Sequence, residues 1–214
     1  MSSRFGVNRH TVRQALAALA EAGAVHARRG AGVFVTAMPT DYPLSRRVRF
    51  HQNVLASGRT PSRQILRQET RPADSGEATA LHLAAGVLVH VVDGLSLADG
   101  SPLAMFRSIF PATRFPHLLA AIARLGSVTA ALAETGVTDY TRAETRITAI
   151  AADALLALHL RLAQGAPLLR SVAVNVDAAG LPIEFGTTWF AGDRVTLTVS
   201  PEATDVGETV DKLS

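Results

Sequence analysis

The chain has 214 residues and carries 21 Lys and Arg against 18 Asp and Glu, a net charge of +3. Its 48% apolar content is enough for a sizeable core in one or two domains, and without cysteine it has no disulfide, thiol nucleophile or thiolate metal site. The N-terminus lacks the apolar stretch of a signal peptide, and the most apolar run, 149–163, is broken by Asp153, His159 and Arg161, so a cytoplasmic protein with no membrane partner is expected.

The charge is concentrated at the start. Residues 1–35 hold five Arg and one Glu, net +4, which leaves −1 for the rest. Gly6-Val7-Asn8 reads as a tight turn in which Asn8 caps a helix over 9–22. At helical spacing Val12, Ala15, Leu16, Leu19 and Ala22 form one apolar arc, with Arg9, His10, Arg13, Gln14 and Ala17 opposite. Gly23 ends the helix. Two short strands, 25–29 and 33–35, follow around Gly30-Ala31-Gly32. Turn, helix with a basic outer face, then a hairpin with Arg28 and Arg29 at its tip is the order of a winged helix-turn-helix. Arg on a helix pairs with guanine in the major groove, and a glycine tip lets a backbone approach DNA closely. Periodicity alone also fits an ordinary amphipathic helix with a solvated basic face; the residue order separates the two.

Residues 37–44 (AMPTDYPL) are polar, carry two prolines and read as an interdomain linker. A helix is expected over 46–56, closed by Gly58, then a strand over 64–71 and a short helix over 75–83 capped by Asp74 or Ser75. Residues 87–97 and 103–110 form a hairpin across Ala98-Asp99-Gly100-Ser101, an Asp-Gly turn. Helices follow from Phe115 to Ala123 and from Ser127 to Glu134, then a strand over 138–149 with Arg142, Glu144 and Arg146 on one alternating face. Asp153 caps a helix through Leu162. A second hairpin pairs 168–176 with 182–190, a last strand spans 195–199, and 201–214 reads as a flexible tail. Hairpins interleaved with helices argue an α+β domain: an antiparallel sheet covered by helices.

Catalysis and metal binding have little support. The seven His are scattered with no ligand spacing, no Ser sits in a nucleophile elbow, and Gly30-Ala31-Gly32 is too short for a nucleotide loop. His90 and His159, in apolar runs, read as core or rim residues. No enzyme activity, cofactor or metal is expected.

The run FGVNRHTVRQALAALAEAGAVHARRGAGVFV resembles the DNA-binding domain of the GntR family of bacterial transcription regulators. The resemblance implies that Asn8, Arg9, His10, Thr11 and Arg13 take major-groove and phosphate positions, with Arg29 and Gly30 at the wing tip. The family's domain begins with another helix and most of a second before this turn. Against that pattern the winged helix of 1–36 is expected to be N-terminally incomplete, leaving Val12, Leu16 and Leu19 partly exposed.

The stretches LADGSPLAMFRSIFPATRFPHL, DYTRAETRITA and GAPLLRSVAVNVDAAGLPIEFGTTWFAGDRV resemble the UTRA ligand-sensing domain, with a chorismate-lyase-like fold, of the family's HutC-like branch. A winged helix over 1–36, a linker over 37–44 and a UTRA domain over 45–200 are therefore expected. The combination RVRFHQNVLASGRTPS, FRSIFPATRFP, GSVTAALAETGVTDYTR and SVAVNVD is most similar to regulators of phosphonate utilisation.

The resemblance implies an operator-binding homodimer, a repressor of a metabolic operon, with a small-molecule effector between the sheet and its covering loops. Anions are held by Arg, hydroxyls and free backbone N–H groups together. The candidates are Ser62, Arg63, Arg107, Ser108, Tyr140, Arg146 and Glu184, of which Ser62 and Glu184 match positions the family uses for its ligand. The family's effectors include sugar phosphates, amino-acid derivatives and phosphate-like anions; its sugar-phosphate sensors carry an Arg pair and an acid where this chain has Gly94, Ser96 and Phe106, which argues against a sugar phosphate, and a phosphate- or phosphonate-like effector is expected. Taken singly, each Arg is equally at home as a solvated strand charge or paired with Glu144 or Glu69. Two rivals stand beside this reading: a ligand-binding module that has lost DNA binding and, remotely, a chorismate-lyase-like enzyme.

Overall fold

A computed structural model describes residues 6, 8–21, 25–28, 32–35, 39–44 and 50–199. The chain divides into two compact units, Met1–Pro39 and Thr40–Ser214.

In the first unit, Gly6 has φ +63°, as the expected turn requires, and helix α1 spans Arg9–Glu21. The Asn8 side-chain oxygen accepts the His10 N–H at 3.1 Å, which satisfies one of the free donors at the helix start. Val12 and Leu16 are half-buried, Leu19 is 44% exposed, and no α1 residue is buried. Strands β1 (Val25–Arg28) and β2 (Gly32–Val35) pair antiparallel, Val25 with Val35 and Arg28 with Gly32. The expected helix stop at Gly23 and the hairpin-tip residues Arg29 and Gly30 lie outside the described residues, as does the tail 201–214.

The second unit is built on one antiparallel sheet of six strands, in the order β4-β5-β6-β9-β8-β7. These are β4 (Pro61–Pro72), β5 (Leu88–Ala98), β6 (Ser101–Pro111), β7 (Thr141–Ala151), β8 (Pro167–Val176) and β9 (Pro182–Ala191). The β5–β6 hairpin closes on Asp99 (φ +51°) and Gly100 (φ +73°), the two left-handed residues that a tight turn matched to strand twist demands. Arg59 Nε and the Thr60 N–H, 2.8 and 2.9 Å away, hold the Asp99 carboxylate.

Strand alternation gives the sheet two apolar faces, each covered by helices. On the front, α4 (Leu118–Leu125) and α5 (Val128–Glu134) bury Leu118, Ile122 and Leu132 against Val92, Phe106 and Ile183. Helix α2 (Phe50–Ala56) packs Phe50 and Val54 with Tyr42, Ala104 and Phe190. On the back, α6 (Ala154–Leu160) covers Leu95, Met105 and Leu168. A second back cluster joins Val89, Val91 and Ile109 to Leu81, which caps the C-terminus of α3 (Ser75–Ala80). Asp74 caps α3 and Glu77 answers it, so each side chain accepts the other's backbone N–H.

The expected linker 37–44 differs in its second half. Thr40–Pro43 is strand β3, paired in parallel with β10 (Val195–Thr198). Tyr42 is buried there, and Arg59 donates to the Thr40 hydroxyl at 2.8 Å. Two prolines and polar neighbours mimic a loop, but a short edge strand tolerates proline, and its partner lies some 150 residues away.

The expected common face of Arg142, Glu144 and Arg146 also fails. A bulge between Arg142 and Glu144 reverses the alternation: Arg142 pairs with Asn175, while Glu144 pairs with Val174. Arg142 is thereby placed on the front and the other two on the back.

Candidate functional site: a polar cavity on the front of the sheet

Between α2 and α5 the front face stays open, and polar residues replace the apolar ones that pave the rest. Its floor carries Ser96 from β5, Phe106 and Ser108 from β6, Glu184 and Thr188 from β9, and Ser171 and Asn175 from β8. Its rim carries Tyr42, Phe50, Arg63, Thr129, Tyr140 and Arg142. Ser96, Ser108, Ser171 and Glu184 are all buried, which places hydroxyls and a carboxylate together on the front of the sheet. Buried polar groups cost free energy unless they are satisfied, so their collection around one cavity marks it for a polar ligand.

Two guanidinium groups enter this cavity. Arg63 lies over two aromatic rings, 4.8 Å from the Phe106 centroid and 5.7 Å from that of Phe50. Gly94 makes the first stack possible. A Cβ there would stand 2.5 Å from Phe106 Cζ and 2.7 Å from the Gln64 carbonyl oxygen, so only glycine lets the ring lie flat against its cross-strand neighbour. Arg142 comes from the bulged strand, and its buried Nε has no hydrogen-bond partner. Among the described residues neither arginine has an ion-pair partner. Burial pushes the Tyr42 phenol up, and the charges of Arg63 and Arg142 both oppose that rise. Two cationic groups therefore act on the same part of the cavity.

The carboxylate is held separately. Asn175 Nδ2 donates to Glu184 Oε2 at 2.6 Å across the β8–β9 ladder. Thr129 Oγ1 and the Tyr140 hydroxyl are 3.2 Å apart, joining α5 to the segment ahead of β7.

Of the seven expected effector residues, the structure brings Arg63, Ser108, Tyr140 and Glu184 together in this cavity. It places Ser62, Arg107 and Arg146 elsewhere, for the same reason each time: consecutive strand residues face opposite ways. Ser62 is exposed and pairs with Leu97, which belongs to the back-face core. Arg107 forms a two-pronged pair with Asp93, Nε to Oδ1 at 2.7 Å and Nη2 to Oδ2 at 2.9 Å, and that bond raises its pKa. Arg146 pairs with its neighbour Glu144 at 2.8 Å in solvent.

Arg142 and Asn175 are the additions. Asn175 was within reach of alternation, since Ser171, Ala173 and Asn175 form a small and polar row on one face of β8. Arg142 was not, because nothing local in Thr-Arg-Ala-Glu announces the bulge. The expected core role of His90 holds. It is buried, its Nε2–H donates to the Phe115 carbonyl at 3.1 Å, and Nδ1 accepts from the Thr70 hydroxyl at 2.8 Å. Burial lowers its pKa.

In the first unit Asn8, Arg9, His10, Thr11 and Arg13 are all exposed on the first turns of α1. A helix presenting its N-terminal polar side chains to solvent can enter a major groove. Among the described residues no group of His, Asp or Glu is disposed to hold a metal ion, and no helix is long and apolar enough to cross a membrane.

Residues 56–196 match the UTRA domain, and residues 1–35 match the bacterial regulatory proteins of the gntR family. An uncharacterized HTH-type transcriptional regulator of Rhizobium meliloti is 41% identical over 200 residues, covering 93% of this chain and 82% of the relative. The chain belongs to the GntR family of bacterial transcription regulators, with a UTRA domain. The probable transcriptional regulator PhnF of Escherichia coli is 33% identical over 93% of this chain and 83% of its own length. The crystal structure of PhnF from Mycobacterium smegmatis superposes with a TM-score of 0.73 at 27% identity, covering 94% of this chain and 88% of that one. As a member of the family, this chain is a transcription regulator of PhnF-like type. Its relatives carry the names of regulators rather than of enzymes.

Proposed function

We propose that this GntR regulator is an effector-responsive repressor whose front-face cavity takes a small phosphate- or phosphonate-like anion. The observation that carries the reading is the pair of arginines, Arg63 and Arg142, turned into one polar cavity without a carboxylate partner among the described residues. Planar guanidinium groups match tetrahedral oxyanions two bonds at a time, and the hydroxyls of Ser96, Ser108 and Ser171 complete the donor set. The similarity to PhnF, whose name belongs to regulators this chain resembles over nearly its whole length, fits a phosphonate-linked operon.

Operator recognition falls to α1 and the β1–β2 hairpin. Arg9, His10, Thr11 and Arg13 reach bases and phosphates, and Arg29 with Gly30 follows the backbone at the wing; a homodimer presents two such units to a pseudo-palindromic site. The route between ligand and DNA is short in sequence. Tyr42, on the rim of the cavity, sits on β3 only three residues after the boundary at Pro39. An effector that grips Tyr42 and the arginines favours one arrangement of the units over another, and operator affinity changes with it.

A specific observation supports a second reading, a ligand-binding module that does not bind DNA: α1 has no buried residue, and Leu19 of its apolar arc is 44% exposed. Calorimetry with inorganic phosphate and methylphosphonate tests the cavity. The double variant Arg63→Ala, Arg142→Ala is expected to weaken anion binding by about a hundredfold, since each charge-assisted bond contributes about 1.5–3 kcal/mol. Unchanged affinity would place the anion site elsewhere.

A further inference from the structure

Resting on the anion reading above, we infer that the effector is zwitterionic: a phosphonate or phosphate on a short carbon chain whose other end is a protonated amine seated on Glu184. The cavity holds charges of both signs in different places. The strand register sets Arg142 opposite Asn175 and Asn175 opposite Glu184, so the three form one row across β7, β8 and β9. At about 4.8 Å per strand, the backbones of Arg142 and Glu184 are about 10 Å apart. The Arg142 charge acts together with that of Arg63 on Tyr42, on the cavity's rim. Glu184 is on the floor, 9% exposed, on the strand that also carries Gly186 and Thr188.

The state of Glu184 is what a ligand must answer. Its Oε2 is taken by Asn175, and among the described residues no cation lies within ion-pair reach. Oε1 stands over Gly186, 3.7 Å from where a Cβ would be, so the absence of a side chain there leaves that oxygen uncovered. A buried carboxylate with one neutral donor is under-compensated, and a positive group placed on it recovers the cost. A neutral hydroxyl would make the bond and leave the charge standing. The two guanidinium groups take the anionic end, and because neither forms an ion pair with Glu184, the ligand's positive group is carried on a short chain rather than on the oxyanion itself.

The test is calorimetry of the full chain with 2-aminoethylphosphonate, 2-hydroxyethylphosphonate and ethylphosphonate. The amine is expected to bind at least about tenfold more tightly than the ethyl compound, the lower end of one charge-assisted hydrogen bond. Glu184→Gln, with its melting curve checked against the parent, is expected to bring the two within about twofold. Equal affinity for the amino and ethyl compounds, a hydroxyethyl compound as tight as the amine, or a gap that survives Glu184→Gln would each overturn the inference while leaving the anion site intact. Failure of all three phosphonates to bind would remove the anion reading itself, and the inference with it.

Discussion

Gly94 shows how one residue can set the chemistry of a cavity. Without a Cβ at that position, the Phe106 ring lies against β5 and offers its face to the Arg63 guanidinium. Gly94→Ala would drive a methyl into both the ring and the Gln64 carbonyl, so Phe106 must swing away. Overpacking of this kind costs about 2–3 kcal/mol, and the displaced ring takes the Arg63 platform with it. A lowered melting temperature together with weaker methylphosphonate binding is expected. A variant as stable as the parent and binding equally well would show that the stack does not position Arg63. The presence of glycine here was plain in the sequence, but its purpose was not: the residue that fills its space is a cross-strand neighbour twelve positions on, and only the register brings them together.

At the scale of elements, α3 depends on a carboxylate that does two jobs. Glu77 closes the capping box with Asp74 and receives both Nη1 and Nη2 of Arg71 at 2.6 Å. The Arg71 hydrogen bonds are the first reason its pKa is lowered from the ordinary 4.5, against the opposing effect of burial. A depressed folded pKa means stability that is fully present above about pH 4.5 and is lost as the pH falls through the folded value. Glu77→Gln is therefore expected to cost about 2 kcal/mol at pH 7, or about 4–8 °C in Tm, with the gap to the parent closing below pH 4.5. A pH-independent difference would assign the loss to capping geometry rather than to charge.

Elements governed by local chemistry could be read from the residues alone. The Asn8 cap, the Asp99-Gly100 turn, and the Ser127 and Asp153 caps all appear where turn and cap chemistry places them. Long-range pairing hid the rest. Thr40–Pro43 becomes a strand only because β10 returns to it, and Arg142 turns to the front only because β7 bulges against β8. The candidate site followed the same division. Arg63 and Ser108 follow from residue type and Glu184 from the family resemblance, whereas Arg107 and Arg146 have the right chemistry on the wrong face.

At the scale of the whole molecule, the sequence separates charge by task. The net positive charge sits in residues 1–35, while the second unit is near neutral overall and sets two arginines on the wall of its cavity. A basic segment binds DNA by releasing counterions, so its affinity must fall steeply with salt. Arg13→Ala, exposed on α1, is expected to weaken operator binding by about ten- to a hundredfold without altering anion affinity in the cavity. Operator affinity unchanged in Arg13→Ala would remove α1 as the recognition helix. The separation also makes the two activities independently breakable: variants of α1 spare the cavity, and variants of the cavity spare α1.

Effector binding in the second unit is proposed to change operator binding by the first, and fluorescence anisotropy of the full chain on DNA from upstream of its own gene measures that coupling. The titration is run across salt concentrations, with and without a phosphonate ligand. The expected result is sequence-specific binding that weakens steeply with salt, is reduced at least about fivefold by the ligand, and loses that response in the Arg63→Ala, Arg142→Ala variant. Binding of equal strength on any sequence, or specific binding that the ligand leaves unchanged while occupying its cavity, would contradict it.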